Sequence, residues 1–182
     1  MRKTFQLFDK ALSPVECDII IEKCEKNVLK RAMVIDGASE RKVSHVRAAQ
    51  ITFINDPQIT ETIKYFLEKA NRDSFGFNVN FLPRGAQYSV YEKDCFYSWH
   101  QDVNWNSDKM SDRKLSIVVQ LSDPSEYEGG DFEFGKNIGF PEGFRERGSV
   151  LVFPSYQIHR VSPVTKGTRK SLVNWYEGPR WR

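Results

Sequence analysis

From Phe75 to its C-terminal end the chain is a succession of short apolar runs cut by turns rich in Gly, Pro, Asp and Asn. The runs fall at 75–81, 87–91, 97–103, 114–121, 131–134, 149–153, 158–164 and 168–176. Segments of that length, alternating in polarity and bounded by turn residues, read as strands. About eight strands behind two helices fit an α+β, mainly β, architecture built as a twisted double-sheet barrel.

The two helices precede that region. The first spans 13–29: Ser13 suits the N-cap, Pro14 the first helical position, and Glu16, three residues after the cap, completes a capping box. Val15, Ile19, Ile20 and Leu29 give it a mostly helical apolar period, and Cys17 and Cys24, two turns apart, are core or helix-face residues. A strand at 48–54 stops at Asn55-Asp56-Pro57, and a second helix follows over 57–71 with Ile59, Ile63, Phe66 and Leu67 on one stripe. Between them, 30–47 is mixed, with a loop at 37–42 and His45 as a surface or packing histidine.

A length of 182 residues with 40% hydrophobic and 28% charged residues describes one ordinary domain, 1–182, with support helices at 13–29 and 57–71 and a barrel over 75–178. The formal net charge of +3 is too small to argue for a nucleic-acid partner. The N-terminus is basic but has no apolar run, and no stretch is long enough to span a bilayer, so a cytoplasmic protein without a membrane role is expected. Three cysteines without framework spacing point to reduced thiols.

Chemistry concentrates in Tyr97-Ser-Trp-His100-Gln-Asp102. On a strand, side chains at i and i+2 leave the same face, so His100 and Asp102 would aim at one point from about 7 Å apart along the chain. Alone, an H-x-D triplet is commonplace. With His159 it becomes a two-histidine, one-carboxylate set that leaves open positions on a non-haem Fe(II). Arg169 and Ser171 would share a strand face, with Lys170 and Arg160 turned away. On 114–121, Leu115, Ile117, Val119 and Leu121 would face the helices, and Ser116, Val118 and Gln120 the interior. The polar stretch 103–113 is either a lid or substrate loop, or a solvated connection.

The region from Tyr88 to Trp175 resembles the Fe(II)- and 2-oxoglutarate-dependent dioxygenases, in particular the prolyl 4-hydroxylase-like branch of bacterial and viral type. The resemblance rests on Tyr91, Tyr97-Ser-Trp-His100-Gln-Asp102, Arg113 through Pro124, Tyr127-Glu-Gly-Gly130, Gly148 through Ser155, His159-Arg-Val161 and Gly167-Thr-Arg169-Lys-Ser171-Leu-Val-Asn-Trp175, in the family's order. It implies a double-stranded β-helix (jelly-roll) barrel with N-terminal support helices. It also implies Fe(II) on His100, Asp102 and His159, with 2-oxoglutarate and O₂ as co-substrates and ascorbate as a further possible cofactor. Arg169 would hold the distal carboxylate of 2-oxoglutarate, because a guanidinium fork matches a carboxylate, with Ser171 adding a hydroxyl. Tyr91 fits a bond to the co-substrate or core packing. Gln120 stands near where relatives often have a tyrosine, which leaves that contact open. Trp175 fits a pocket wall or an ordinary core residue, and Tyr97, Trp99 and Trp105 are candidate substrate contacts. Asp102 argues against the halogenating variant, which lacks the carboxylate ligand.

The resulting expectation is a hydroxylase that splits 2-oxoglutarate to succinate and CO₂ and acts on a protein or peptide, foremost at proline. A free amino acid hydroxylase and a nucleic-acid demethylase share the same iron chemistry, though a demethylase calls for a basic groove with stacking aromatics, and Asp108 and Asp112 would flank the entrance. The non-enzymatic alternative is a cupin-like metal-binding barrel, which would be expected to lack one of His100, Asp102, His159 or Arg169.

Overall fold

The computed structural model describes residues 3–31, 34–36, 39–41, 46–135 and 138–182; His45 and positions 37, 38 and 42 of the 37–42 loop lie outside them. In chain order the elements are β1 (Gln6–Phe8), α1 (Pro14–Glu25), β2 (Lys30–Arg31), β3 (Val34–Asp36), β4 (Ser39–Arg41), β5 (Arg47–Ala48), β6 (Gln50–Ile54), α2 (Pro57–Ala70) and β7 (Ala86–Tyr91). There follow β8 (Phe96–His100), β9 (Ser111–Gln120), β10 (Tyr127–Gly129), β11 (Phe132–Phe134), β12 (Val150–Pro154), β13 (His159–Val161), β14 (Val164–Gly167) and β15 (Arg169–Pro179).

Two sheets carry the architecture. The larger has the order β1-β12-β9-β15-β7-β6-β2 and the smaller β11-β13-β8-β5, with β10 and β14 paired beside them. This is the jelly-roll arrangement with N-terminal support helices. The larger sheet is buried on both faces, so β7 and β12 are buried along their whole lengths and β12 reads as the unbroken apolar run Val-Leu-Val-Phe. One face meets the helices: Leu115, Ile117, Val119 and Leu121 pack with Cys17, Ile20 and Cys24 of α1 and Ile59, Ile63, Phe66 and Leu67 of α2. The other meets the smaller sheet, where Val118, Leu151 and Phe153 pack with Phe132, Phe134 and Val161. The expected division of faces on 114–121 holds.

Local sequence explains most boundaries. Ser13 Oγ accepts from the Glu16 amide at 3.3 Å while Glu16 Oε2 accepts from the Ser13 amide at 2.7 Å, so the capping box starts α1 where expected. α1 ends at Glu25, not 29, and its buried stripe is Cys17, Ile20 and Cys24. Val15 and Ile19 are 65% and 42% exposed, because a helix lying on a sheet buries only a narrow stripe. Asp56 caps α2 through the Ile59 amide, and the expected stripe is buried.

Two further expectations need correction. Residues 75–81 do not form a strand: Asn71–Phe75 continues α2 as a π-helical turn closed by Gly76 at φ +65°, and Phe81 makes only an isolated bridge to Glu177. The Asn71 side chain secures this turn, donating to Phe77 O at 2.9 Å and accepting from Phe77 N at 2.8 Å. Residues 39–41, read as loop, form β4 and pair with β3. β1, unmarked in the sequence, adds the edge next to β12.

Gly148 (φ +80°) makes the turn into β12 next to Leu12; a Cβ there would lie 1.9 Å from the Leu12 carbonyl oxygen. Burial of the α2 stripe predicts the energetics. Leu67→Ala should cost about 2–5 kcal/mol in a denaturant titration, whereas Val15→Ser should stay within about 0.5 kcal/mol.

Candidate active site

His100 is the last residue of β8 and His159 the first of β13, and the two are register partners. His100 Nδ1 lies 2.7 Å from Ser98 O and His159 Nδ1 lies 2.9 Å from Gln157 O. A carbonyl oxygen can only accept, so each Nδ1 carries the proton and each Nε2 keeps its lone pair for the site. Ring stacking fixes the planes: Tyr97 lies over His100 at 3.5 Å and 13°, and Phe132 over His159 at 5.2 Å and 22°.

Asp102 lies just past the end of β8, so the i, i+2 geometry of a continuous strand is not what aims it. Its backbone amide donates to Ser155 O at 2.9 Å. Ser116 Oγ, from the facing sheet, donates to Asp102 Oδ2 at 2.6 Å and contacts Ser155 Oγ at 2.9 Å. The carboxylate oxygens stand 3.7 Å from His100 Nε2 and 3.7 Å from His159 Nε2. One ligand atom from each of the three residues falls within 4.8 Å of the others, and among the described residues this is the one such group. Burial pushes the Asp102 carboxyl upward, but His159, His100, Arg113 and the Ser116 hydroxyl outweigh it and hold the pKa below the usual range. Burial, joined by the neighbouring His159, drives the His100 pKa downward. Both shifts favour a carboxylate beside a neutral imidazole, the protonation states that bind a divalent metal.

The three residues open onto a cavity of about 700 Å³ between the sheets, lined also by Tyr91, Tyr97, Arg113, Arg169, Ser171 and Trp175. Arg169 is 2% exposed, and its Nη2 is buried without a hydrogen-bond partner among the described residues. Its guanidinium lies 5.7 Å from the Tyr91 ring centre, across the β15–β7 register pair. Gly130 (φ +63°) makes room for it, because a Cβ there would come 3.2 Å from Arg169 Cδ. Lys170 points the other way to Glu25, and Arg160 points off the site to Glu133, as expected.

Some expected residues fall outside this cavity. Gln120 faces the interior but is not on the lining; its amide donates to Ser122 O and to the Tyr127 hydroxyl. Trp99 is exposed, beneath the Arg160 guanidinium, and Trp105 is exposed with its Nε1 on Gln101 Oε1. The reason for Trp99 is a register shift: Tyr97 pairs with Val161 and His100 with His159, so β8 has an extra residue between them. That bulge puts Tyr97 and His100 on the same side and turns Trp99 outward.

The 103–113 segment is likewise not one loop. Ser111–Arg113 belong to β9, and Asp112 accepts from the Trp181 amide instead of guarding the entrance. Val103 and Asn104 line the cavity, whereas Asp108, Lys109 and Met110 do not.

Sequence reasoning missed Ser116 and Ser155 as supports of Asp102, and Arg47 and Arg113 as cavity walls. Arg113 has the strand parity of Leu115 and should face the helices. A shift opposite Tyr176 and Glu177 inserts Lys114 as an extra residue and turns Arg113 inward, where it stacks 3.6 Å from the Trp175 ring centre.

Comparison with known proteins agrees with this geometry. The 2OG-Fe(II) oxygenase superfamily profile matches residues 86–177. A PKHD-type hydroxylase of Synechococcus sp. (strain CC9311) is 38% identical over 178 residues, covering 94% of this chain and 76% of the relative. In fold, the chain resembles a Pseudomonas putida prolyl-4-hydroxylase, with a TM-score of 0.74, 19% identity and coverage of 97% and 94% of the two chains. It also resembles a Trichoplax adhaerens prolyl hydroxylase in complex with a hypoxia inducible factor peptide fragment, with a TM-score of 0.75, 14% identity and coverage of 95% and 83%.

Because the Ser116 hydroxyl fixes the orientation of Asp102, Ser116→Ala should weaken Mn(II) binding by about 10- to 100-fold in calorimetric titration. Equal affinities for the two proteins would show that the Ser155 backbone alone positions the carboxylate.

Proposed function

The chain belongs to the 2OG-Fe(II) oxygenase superfamily, which makes it a dioxygenase using Fe(II), 2-oxoglutarate and O₂, and we propose that it is a prolyl hydroxylase-type enzyme acting on a protein or peptide. The observation that carries this reading is the buried Arg169, with an unpartnered Nη2, on the same cavity as the three metal-ligand side chains. A cation so placed fits the distal carboxylate of a dicarboxylic acid bound at the metal. The hydroxylase relatives and the peptide-bound structural neighbour support the choice of substrate class.

His100 Nε2, His159 Nε2 and a carboxylate oxygen of Asp102 would hold the iron. With its co-substrates bound, the iron supplies the oxidative splitting of 2-oxoglutarate to succinate and CO₂ and the insertion of one oxygen atom into a substrate C–H bond. Arg169 would orient the co-substrate through charge-assisted hydrogen bonds, which a planar guanidinium makes better than an ammonium. Ser171, one strand step of two residues away, would add a hydroxyl, and Tyr91 would close the same end. Val118, Phe132, Val161 and Val173 supply apolar cavity wall that excludes water from the reacting groups. The Trp175 ring, braced by Arg113, would form the wall against which a substrate proline ring packs, while Tyr97 would keep the His100 plane fixed.

Asp102→Ala should lose metal binding and hydroxylation together; unaltered metal content and turnover would reject the ligand assignment. Arg169→Ala should keep the metal but raise the 2-oxoglutarate requirement by at least about 100-fold, the scale of breaking a buried charge pair. Proline peptides, free amino acids and methylated oligonucleotides, compared in one assay by mass spectrometry and succinate release, test the substrate class. Oxygen incorporation into an amino acid or oligonucleotide with every peptide inert would reject the peptide reading and leave the iron chemistry standing.

A further inference from the structure

The cavity holds more positive charge than the co-substrate needs. Lys30, Arg31, Arg47, Arg113 and Arg169 line it, against Asp102 as the single acidic side chain on the lining among the described residues. Arg169 and the metal ligands account for the dicarboxylate, and Arg113 is engaged with Trp175 and the Asp102 carbonyl oxygen. Arg47 has a ring contact but no hydrogen-bond acceptor among the described residues. It is 8% exposed, its Nε is buried without a hydrogen-bond partner, and it forms no ion pair among the described residues. A buried guanidinium in that condition is costly unless a ligand completes it.

Its position says what the ligand must be attached to. Arg47 pairs with Tyr97 across β5 and β8, and its guanidinium lies 4.5 Å from the Tyr97 ring centre. Tyr97 in turn lies 3.5 Å over the His100 ring. Those two stacking steps correspond to about two or three residues of extended chain at about 3.3–3.6 Å each.

We propose that Arg47 is a carboxylate-binding subsite that selects substrates with an acidic group two or three residues from the residue to be hydroxylated. Lys30 and Arg31, exposed at the same cavity, draw that group in. The inference rests on the peptide reading above. A planar fork stacked on an aromatic ring suits the two oxygens of one carboxylate. A nucleic-acid strand would instead need a track of free cations beyond the cavity. Several cations outside the cavity are paired instead, Lys10 with Glu146, Arg160 with Glu133, Lys166 with Glu128 and Lys170 with Glu25.

The test is a set of proline peptides with Glu at each position from three before to three after the proline, each matched by its Gln counterpart. Binding is read by fluorescence anisotropy on the Mn(II)-loaded protein without O₂, and KM and kcat by hydroxylation. At the favoured position, Glu→Gln in the peptide should weaken binding and raise KM by at least about tenfold, as expected for a hydrogen bond to a charged group, with kcat little changed. Arg47→Ala should remove the difference between the Glu and Gln peptides, whatever it does to both alike, and Arg47→Lys should restore part of that difference. Equal binding of acid and amide peptides to the native protein would overturn the inference without needing any variant, while their hydroxylation would keep the peptide reading. Free glutamate and methylated oligonucleotides complete the panel. Arg47-dependent turnover of the amino acid alone would keep the carboxylate subsite and move its ligand to a small molecule; turnover of the oligonucleotide alone would reject both readings.

Discussion

The arrangement at the site depends on one buried carboxylate held in its charged form. Left to burial, Asp102 would be pushed toward the neutral acid, which is a poor metal ligand. Two imidazoles at 3.7 Å, the Arg113 charge and the Ser116 hydroxyl reverse that tendency. These groups come from three strands: His100 from β8, His159 from β13, and Ser116 and Arg113 from β9. Once buried, the carboxylate therefore stays ionic because stacking the two sheets brings these groups to it. The same stacking that buries Val118, Leu151 and Phe153 sets the protonation state of the site.

Two bulges adapt a regular sheet to this task. A strand that alternates strictly cannot put Tyr97 and His100 on one side, nor Ser116 and Arg113. The extra residue in β8 and Lys114 in β9 each reverse the parity at one point. Beyond each bulge the strand presents an aromatic or charged side chain to the cavity that the alternating pattern would have sent elsewhere. The displaced residues find other partners: Trp99 lies under Arg160, and Lys114 sits 3.6 Å from the Trp181 ring centre.

This accounts for what the sequence disclosed and what it did not. Elements set by local rules were legible. The Ser13–Glu16 capping box, the Asp56-Pro57 start of α2 and the two-faced pattern of 114–121 each follow from contacts within a few residues or from a period. His100, Asp102, His159 and Arg169 were legible as an ordered motif, and the structure brings them to one cavity. What depended on pairing register was not legible. Trp99 looked as good as Tyr97, and strict alternation from Leu115 would turn Arg113 to the helices, because a bulge has no marker in either stretch. The 75–81 run alternated like a strand, but Asn71 spends both its amide groups on Phe77 and prolongs the helix. Trp105 and Gln120 failed for a related reason: each donates to a local partner, Gln101 or Tyr127, and stays off the cavity lining.

The partners of the interior cations complete the physical picture. Outside the cavity, Arg145 is tied to Asp131 and two backbone carbonyls, Arg147 to Asp18 and the Leu121 carbonyl, and Arg160 to Glu133. Inside, Arg169 and Arg47 are buried as deeply or more so, and each keeps a buried nitrogen without a partner, as Arg160 does at Nε, but neither has an acidic partner among the described residues. Their rings, Tyr91 and Tyr97, offer only cation–π contact, which is worth less than a carboxylate partner in the same place. The fold gives Arg145, Arg147 and Arg160 acidic partners and leaves the two interior arginines without, on register partners of β7 and β8 that open onto one cavity. Folding alone gains nothing from that arrangement, since an apolar side chain in either position would avoid the desolvation cost. Binding gains from it, because each guanidinium is already desolvated and aimed when an anion arrives.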